Sequence, residues 1–333
     1  MPRSAPQLRR VSQVPIVAAG SVDGYEAIFN AGMVHVDDRY HLFARAVRAG
    51  YRTNSGDGPR FLDYISDVLV FHSDDGVAYQ FDSVLARSSA AGVNCFEDPR
   101  VQRVHSGGQD HWVMTYTNLP SPASGRPWRI GAHRLHYVDG RFMLDHASAT
   151  LLGPDDIANK DAVVFNLRDG RIGLIHRVHP DMQLAIFDSL DHLWAPGSTY
   201  WDEHLRNIDR HVIIRPSSDA LGVGAGAPPV ATDAGLLLFF HERRSDGVYT
   251  MKVALLDDLT GRVTAMLPDA IFFPELHWER VGDVDEVVFV QGAHRRADGT
   301  IYLTYGAADR AVGAAEVSEA ALLERLLAEA DAA

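Results

Sequence analysis

A pattern of paired apolar strands recurs five times along the chain and constrains its fold more than any other feature of the sequence. Each copy has a polar opening, an apolar strand, a short turn and a second apolar strand that ends in a polar or aromatic residue. The copies span Asn30–Val47, Glu97–Thr117, Asp161–Val178, Ala227–Glu242 and Glu286–Asp309, and they begin 59 to 67 residues apart. Strands rich in β-branched and aromatic residues around such turns predict β-hairpins.

Weaker strand pairs fill the intervals between these copies. Asp67–Phe71 and Val77–Phe81 flank a Ser-Asp-Asp-Gly turn, and Gln183–Phe187 precedes a turn at Ser189–Asp191. Two hairpins per unit give four strands, and five such units fit a five-bladed β-propeller. We therefore predict an all-β fold in which the 333 residues form one domain, with the propeller at about residues 20–315 and a C-terminal helix over residues 316–333.

The predicted C-terminal helix has the one convincing helical pattern in the sequence. Ser318 is a candidate N-cap, and Leu322, Leu323, Leu326 and Leu327 form one apolar face. We expect this face to pack on the outside of the propeller or on a neighbouring subunit. A homo-oligomer is therefore one possible assembly.

Composition and charge narrow the classes of function. The chain has 46% hydrophobic and 23% charged residues, as globular proteins do, and Cys95 is its one cysteine. Without a possible internal disulfide, a secretion-type N-terminus or a long apolar stretch, we expect a cytoplasmic protein with no membrane contact. The net charge of −13 argues against nucleic-acid partners. Pro228-Pro229 follows the glycines at 222, 224 and 226, so no dinucleotide loop is predicted, and we expect neither a cofactor nor a metal.

Equivalent positions of the five repeats should meet at one mouth of the central channel, because the innermost strand of each blade lines it. The polar openers are Asn30, Glu97-Asp98, Lys160-Asp161, Gly226 and Glu286. The second strands end at Arg45, Tyr116, Arg177, His241 and Tyr305, with Asp309 just beyond. Carboxylates with aromatic rings suit a sugar, and clustered cations suit an anion. The repeats alone predict a polar pocket and no specific reaction.

At these same residues the sequence resembles glycoside hydrolase family 130, which contains β-mannoside phosphorylases and mannosidases. The similarity runs from about Phe29 to Leu326. Its blocks are FNAG…ARA (Phe29–Ala46), FEDPRV (Phe96–Val101), NKDAVVF…GLIHR (Asn159–Arg177), GAGAPPV…FFH (Gly224–His241), VYTMKVALLD (Val248–Asp257), FPELHWERVGDVDEVVF (Phe273–Phe289) and YLTYGAAD (Tyr302–Asp309). Members of the family have a five-bladed propeller, in agreement with the repeat count.

The resemblance implies a reaction and roles for individual residues. Asp98 of the Glu-Asp-Pro motif matches the general acid of an inverting reaction in which phosphate attacks the anomeric carbon and α-mannose 1-phosphate is released. The substrate-binding set is Asn30, Arg45 and Asp309, to which we add Asp161 and Tyr305 from the converging ring. The phosphate-binding set is Lys160, Arg177 and His241, with Tyr249 as a nearby aromatic contact. The predicted partners are thus a small carbohydrate and phosphate.

Two other functions remain open at this point. A β-mannosidase of the same fold would use water and would need a second carboxylate, for which Glu242 and Glu279 are candidates. A non-catalytic carbohydrate-binding propeller would keep aromatic residues but would not need Asp98 beside a basic cluster. The linkage, the acceptor sugar and the chain length are not specified. The segment Tyr51–Ile65 is longer than is usual in the family, and it would affect the acceptor side.

Overall fold

The computed structural model describes residues 6, 8–57, 60–89, 95–120 and 124–330. Five antiparallel sheets surround a channel, which confirms the predicted five-bladed β-propeller with a C-terminal helix. A short strand β1 (Arg9–Arg10) comes first in the chain. The first blade then contains β2 (Tyr25–Val36), β3 (Arg39–Arg48), β6 (Ser66–Ser73) and β7 (Gln80–Ala86), with a separate hairpin of β4 (Arg52–Thr53) and β5 (Phe61–Leu62) between β3 and β6.

The second and third blades also run from the channel outwards in chain order. The second blade contains β8 (Cys95–Ser106), β9 (Gln109–Leu119), β10 (Arg129–Val138) and β11 (Arg141–Leu144), and β12 (Thr150–Leu152) also pairs with β10. The third blade contains β13 (Lys160–Asn166), β14 (Ile172–Arg177), β15 (Met182–Phe187) and β16 (Val212–Ile214). Three short helices lie between β15 and β16: α1 (Leu190–Trp194), α2 (Tyr200–Arg206) and α3 (Ile208–His211).

The fourth and fifth blades complete the ring. The fourth contains β17 (Ala220–Ala225), β19 (Gly235–Arg244), β20 (Tyr249–Leu256) and β21 (Val263–Met266), and β18 (Val230–Thr232) pairs with β19. Helix α4 (His277–Arg280) leads into the fifth blade, which contains β22 (Val288–Arg295), β23 (Thr300–Ala307) and β24 (Ala311–Ser318). Helix α5 (Glu319–Ala330) follows at once. Apolar side chains between adjacent sheets form the core.

The N-terminal strand β1 closes the ring by pairing with the last strand of the fifth blade. Arg9 lies opposite Glu316 and Arg10 opposite Ala315 in an antiparallel ladder. The propeller therefore begins before residue 20, where the sequence placed its start, and β24 extends to Ser318 before the tail helix begins. A two-residue strand is too short to show an alternating pattern, so the sequence did not reveal it.

Helix is not confined to the tail, contrary to the sequence-based expectation. The residues Ser189–Asp191, predicted as a turn, instead begin α1, where Ser189 Oγ accepts a hydrogen bond of 3.1 Å from the His192 N–H. Leu190 and Leu193 of this helix are buried against the third blade, so a short amphipathic pattern was mistaken for a turn. Among the described residues, no helix is long and apolar enough to cross a bilayer.

The tail helix α5 packs on the outside of its own propeller. The Ala321 N–H donates to Ser318 Oγ at 3.3 Å, as expected of an N-cap. Leu322 and Leu326 are fully buried in a cluster with the fourth and fifth blades, whereas Leu327 is 47% exposed. The apolar face is thus largely used within the chain, and assembly into a homo-oligomer stays a prediction.

The N-terminal closure leads to a prediction about stability. Arg10 donates to both oxygens of Glu279, each at 2.8 Å, and the Glu279 side chain has no exposure. We expect Arg10→Ala to lower the free energy of unfolding by about 3–5 kcal/mol, since it leaves a buried carboxylate without its cation. Arg9→Ala is the matched control, because Arg9 is 71% exposed and its pair with Glu316 is worth at most about 1 kcal/mol. Urea unfolding measures both, and equal losses would contradict the proposed closure.

Candidate active site

The candidate site is a cavity of about 110 Å³ at one mouth of the channel. Of the residues predicted from the sequence, those that line it are Asn30, Arg45, Asp98, Lys160, Tyr249 and Asp309. Its other lining residues are Glu97, Val284, Val287 and Phe289. Residues of all five blades therefore converge here, as the repeat pattern predicted, with the inner strands of the first, second, third and fifth blades among them.

Larger grooves exist elsewhere, but their chemistry is less specific. Grooves of about 440 and 490 Å³ lie on the outer parts of the second and third blades. They lack the converging ring of inner-strand carboxylates and cations, so chemistry rather than volume selects the smaller cavity. A cavity of about 110 Å³ is below the ~300–1,000 Å³ of sites that enclose a whole ligand, so it would admit only the reacting end of an oligosaccharide. Within the described residues, no group of three or more histidine, cysteine or carboxylate side chains could hold a metal ion.

Backbone bulges interrupt three inner strands at polar residues. The strand register shifts at Asn30 in β2, at Asp98 in β8 and at Asp161 in β13. At these positions φ is 45°, 51° and 54°, in the left-handed region that Asn and Asp tolerate better than other non-glycine residues. Asp309 has φ of 54° in the tight turn between β23 and β24. The residue types that carry the chemistry are thus also those that permit the local backbone.

The Asp98 carboxylate is held by two donors. Its Oδ1 accepts from Asn30 Nδ2 at 2.8 Å and from an Arg45 terminal nitrogen at 3.4 Å. Arg45 also forms an ion pair with Glu97 and stacks on the Phe29 ring. Asn30 Oδ1 and Arg45 Nε are buried with no partner among the described residues. Unsatisfied buried polar atoms at a cavity indicate hydrogen-bonding capacity that a ligand can use.

Burial governs the ionisation of the carboxylates that line the cavity. Burial raises the pKa of Glu97, although Arg45 lowers it. Asp98 also raises this pKa, and Lys160 also lowers it. Burial likewise raises the pKa of Asp309 to about 7; Arg45 opposes this shift, whereas Asp98 and Glu97 add to it. Arg45 itself remains charged because Glu97 and Asp98 outweigh the effect of burial and hold its pKa above the usual value. A single arginine thus compensates several carboxylates.

Behind the cavity lies a second network, centred on Asp161. Its side chain has no exposure, and its Oδ1 is 3.3 Å from a terminal nitrogen of Arg100. Its Oδ2 is 3.2 Å from Arg177 Nε and 3.6 Å from His241 Nε2. Burial acts to raise the pKa of Asp161, but Arg177, Lys160 and His241 outweigh it and hold the pKa well below its usual value. Asp161 is therefore a carboxylate anchor for cations.

This network corrects two expectations from the sequence. Asp161 was predicted to bind substrate, yet it lies outside the cavity lining, and its ion pairs are with Arg100, Arg177 and His241. His241 was predicted as a cation of a phosphate site. It is 1% exposed, and burial lowers its pKa to about 4, with Asp161 opposing the shift and Arg177 adding to it. His241 thus lies buried next to Asp161, away from the lining of the cavity.

Tyr305, also predicted to bind substrate, lies in the core instead. Its ring is fully buried, packs on Phe272 and donates from its hydroxyl to Glu279 Oε1 at 2.7 Å. Directly opposite on β24 is Gly313, where an added Cβ would approach the ring to 2.3 Å. Tyr116 packs over Gly131 in the same way in the second blade. The shared Tyr-on-Gly pair is a packing feature of the repeat.

The predicted phosphate side contains two cations next to each other. Lys160, at the start of β13, lies opposite Arg177, at the end of β14. Lys160 lines the cavity, and Arg177 lies just outside the lining with 15% of its side chain exposed. Asp161 uses the Nε of Arg177, which leaves its two terminal nitrogens for a further ligand. Tyr249 lines the same part of the cavity, and burial raises the pKa of its phenol.

Three residues of the site were missed as functional candidates. Glu97 was noted as an opener but not included in the site, although it lines the cavity and pairs with Arg45. Phe289 forms an apolar wall of the cavity, and its ring centroid lies 4.1 Å from that of His241. Arg100 is buried between the cavity and Asp161. The sequence did contain a signal for Arg100, which is a charged residue in an apolar strand, two positions after Asp98. It contained no such signal for Phe289.

The two carboxylates that could have served a hydrolase are both engaged elsewhere. Glu242 accepts hydrogen bonds from the Ser217 N–H at 2.7 Å and its hydroxyl at 3.0 Å, and it lies 3.5 Å from Lys252 Nζ. Glu279 is occupied by Arg10 and Tyr305. Neither residue lines the cavity. Each is a structural carboxylate in this chain.

Comparison with known proteins places this site in a family. A family model described as beta-1,4-mannooligosaccharide phosphorylase, that of glycoside hydrolase family 130, matches residues 4–327. The chain belongs to glycoside hydrolase family 130. The match covers nearly the whole chain and includes every residue of the candidate site. The resemblance drawn from the sequence blocks is thereby confirmed.

Individual members of family 130 are similar over most of their length. A 1,2-beta-oligomannan phosphorylase of Thermoanaerobacter is 27% identical over 93% of this chain and 96% of its own. A beta-1,4-mannooligosaccharide phosphorylase of Ruminococcus albus is 34% identical over 90% of this chain and 85% of its own. Among solved structures, a beta-1,2-mannobiose phosphorylase from Listeria innocua superposes with a TM-score of 0.74 at 17% identity, covering 97% of this chain and 99% of that one. The last similarity shows the fold.

The raised pKa of Asp309 predicts how stability depends on pH. Because the folded pKa of about 7 lies above the ordinary value, the protonated form is favoured in the folded state, and this stabilisation is present at low pH and lost as pH rises through about 7. Asp309→Asn cannot ionise. We expect it to be more stable than wild type at pH 8, by on the order of 1–3 kcal/mol after allowance for water in the cavity, and nearly equal near pH 4.

Urea unfolding at several pH values measures this difference. Asp233→Asn is the control, because Asp233 is exposed on the turn before β19 and its substitution removes a carboxylate outside the cavity. A gap between Asp309→Asn and wild type that stays constant from pH 4 to pH 8 would show that Asp309 ionises normally.

Proposed function

We propose that this protein is an inverting phosphorylase that cleaves a β-mannoside with inorganic phosphate and releases α-mannose 1-phosphate. The observation that carries the proposal is the asymmetry of the cavity. Asp98 is oriented by Asn30 and Arg45 on one side, and Lys160 with Arg177 lies on the other. The names of the family model and of the curated relatives, all phosphorylases of mannosides, support the same reaction.

On the acid side, Asp98 would supply the proton. Its Oδ1 is engaged by Asn30 and Arg45, which leaves Oδ2 for the sugar. As a phosphate oxygen bonds to the anomeric carbon, the bond to the leaving oxygen breaks, and the Asp98 proton reaches that oxygen through a sugar hydroxyl. Because phosphate is already an anion, no protein base is needed to activate it. Asn30, Arg45 and Asp309 hold the mannosyl ring.

On the anion side, Lys160 and Arg177 would bind the phosphate. Arg offers a planar pair of donors that matches two phosphate oxygens, and each charge-assisted bond is worth about 1.5–3 kcal/mol. Collecting cations at one mouth of a protein of net charge −13 is explained by an anionic ligand. His241 would assist as a neutral ring that fixes Asp161, and Tyr249 would close the cavity beside them.

The two alternative functions have less support. A hydrolase would need a carboxylate to activate water, and both candidates named for that role, Glu242 and Glu279, are held by other protein groups. A non-catalytic binding protein would have no use for an oriented aspartate facing two cations. The relatives named above act on both 1,2- and 1,4-linked mannosides, so both linkages belong in a test.

The proposed function predicts strict dependence on phosphate. We expect the protein to convert β-1,2- or β-1,4-linked mannobiose, or a longer oligomer, to mannose 1-phosphate when phosphate is present and to leave the substrate intact without it. Product analysis by anion-exchange chromatography distinguishes mannose 1-phosphate from free mannose. Release of free mannose at equal rates with and without phosphate would replace the phosphorylase with a mannosidase.

Arg177 should affect phosphate more than the sugar. Arg177→Ala removes the equivalent of one charge-assisted bond, so we expect kcat/KM for phosphate to fall by roughly 10- to 150-fold, while KM for the mannoside changes by less than about threefold. Arg171→Ala is the matched control, since Arg171 lies just before β14, at the opposite end of that strand, and pairs with Asp169. Equal losses for both substrates would indicate general damage to the site and would contradict a phosphate contact.

A further inference from the structure

Arg100 is the most buried cation of the site, and the proposed reaction assigns it no contact with either substrate. It lies on β8 two residues after Asp98, and its side chain is 1% exposed. It does not line the cavity. A buried arginine needs acceptors for its donors, and the identity of those acceptors indicates its role.

The guanidinium of Arg100 contacts groups in three blades. A terminal nitrogen donates to the Asp98 carbonyl oxygen at 3.0 Å. The other terminal nitrogen donates to Asp161 Oδ1 at 3.3 Å and to the Ala225 carbonyl oxygen at 2.8 Å, and Nε donates to the Gly226 carbonyl oxygen at 2.8 Å. Its acceptors therefore include the backbone of the proposed acid and the carboxylate behind the proposed phosphate side.

We propose that Arg100 is a positioning residue that fixes the acid Asp98 and the phosphate-side anchor Asp161 relative to each other. It acts through these two residues and touches no reacting atom. The proposal rests on the function argued above. It extends that function because it states how the acid side and the phosphate side of the cavity keep their relative positions.

The backbone of Asp98 needs such support. Its φ of 51° is a left-handed conformation that is unfavourable for a non-glycine residue and persists only where its surroundings enforce it. Arg100 fixes the carbonyl of this residue from one side. Gln291 Nε2 fixes the next carbonyl, that of Pro99, at 3.0 Å. Gly32 permits this close approach, since an added Cβ would lie 2.5 Å from the Pro99 oxygen. The direction of the Asp98 side chain thus depends on a constrained bulge.

On the other side, Arg100 determines how Asp161 holds its partners. Asp161 uses Oδ1 for Arg100 and Oδ2 for Arg177 and His241. If Arg100 is lost, the carboxylate is free to rotate towards Arg177 and to draw both of its oxygens onto that guanidinium. Arg177 would then be withdrawn from phosphate. One substitution at Arg100 should accordingly disturb both the acid and the anion side.

The conservative variant Arg100→Lys tests this role. A lysine keeps the positive charge but has one nitrogen, which cannot reach four acceptors in the planar arrangement of a guanidinium. We expect kcat for the variant to fall by about 30-fold or more and KM for phosphate to rise by about 5-fold or more. The dissociation constant for the mannoside should change by less than about threefold. All are measured well below the midpoint temperature of unfolding of the variant.

Arg10→Lys is the matched control, because Arg10 is also a mostly buried arginine that joins separated segments through several bonds, but it lies at the N-terminal closure. It should lose stability without loss of kcat. If Arg100→Lys loses stability in the same way yet keeps kcat and the phosphate KM within about threefold, Arg100 only joins blades and the proposal is wrong. Should Arg100→Lys not fold, Arg100→Gln replaces it; failure of both to fold while Arg10→Lys folds would equally assign Arg100 to stability alone.

A negative result for the proposed function can be distinguished from a negative result for the role of Arg100. If wild type releases mannose with water, phosphorolysis is wrong, but the ratio of variant to wild-type kcat can still be measured on hydrolysis. An intact hydrolytic kcat in Arg100→Lys would overturn the positioning of Asp98, and a loss of 30-fold or more would support it.

Discussion

The inner strands of this propeller carry ionisable side chains that are buried at the channel. A buried charge is tolerated only where opposite charges or hydrogen-bond donors surround it. Shared ion pairs meet this requirement here. Arg45 pairs with both Glu97 and Asp98, and Asp161 pairs with two arginines. The ion pairs of Arg45 with Glu97 and of Arg100 with Asp161 each join two neighbouring blades. The site is thus part of the cohesion between the blades.

Much of the fold followed from the sequence because a propeller repeats its hairpin, and repetition is visible without any contact information. The same repetition indicated which end of the inner strands would carry the site, so Asn30, Asp98 and Lys160 were placed correctly at one mouth. Closure by β1 was not visible, because its two residues pair with a strand more than 300 positions away. Such a partner is fixed by the geometry of the ring and by no local pattern.

The wrong assignments at the site have a common cause. In a strand, neighbouring residues point to opposite faces, and each bulge adds a residue that breaks the alternation. Repeat position alone therefore could not decide which face Asp161 and Tyr305 would take. Lys160 faces the cavity while the adjacent Asp161 faces away from it, and Tyr305 packs over Gly313. Arg100 escaped notice for a related reason, since its partners are mostly backbone carbonyls, which no residue type reports.

The contrast between Asp309 and Asp161 divides the cavity into two electrostatic halves. Both are buried aspartates, yet the pKa of Asp309 rises to about 7 whereas that of Asp161 falls well below its usual value. Asp309 shares one arginine with two other carboxylates, whereas Asp161 lies close to Arg100, Arg177 and Lys160. A ligand that offers hydroxyl groups suits the first half, and an anion suits the second. When the surroundings shift the pKa values of two groups of the same type in opposite directions, the two groups can take opposite tasks within one site. A sugar held against phosphate is the pair of ligands that matches both halves.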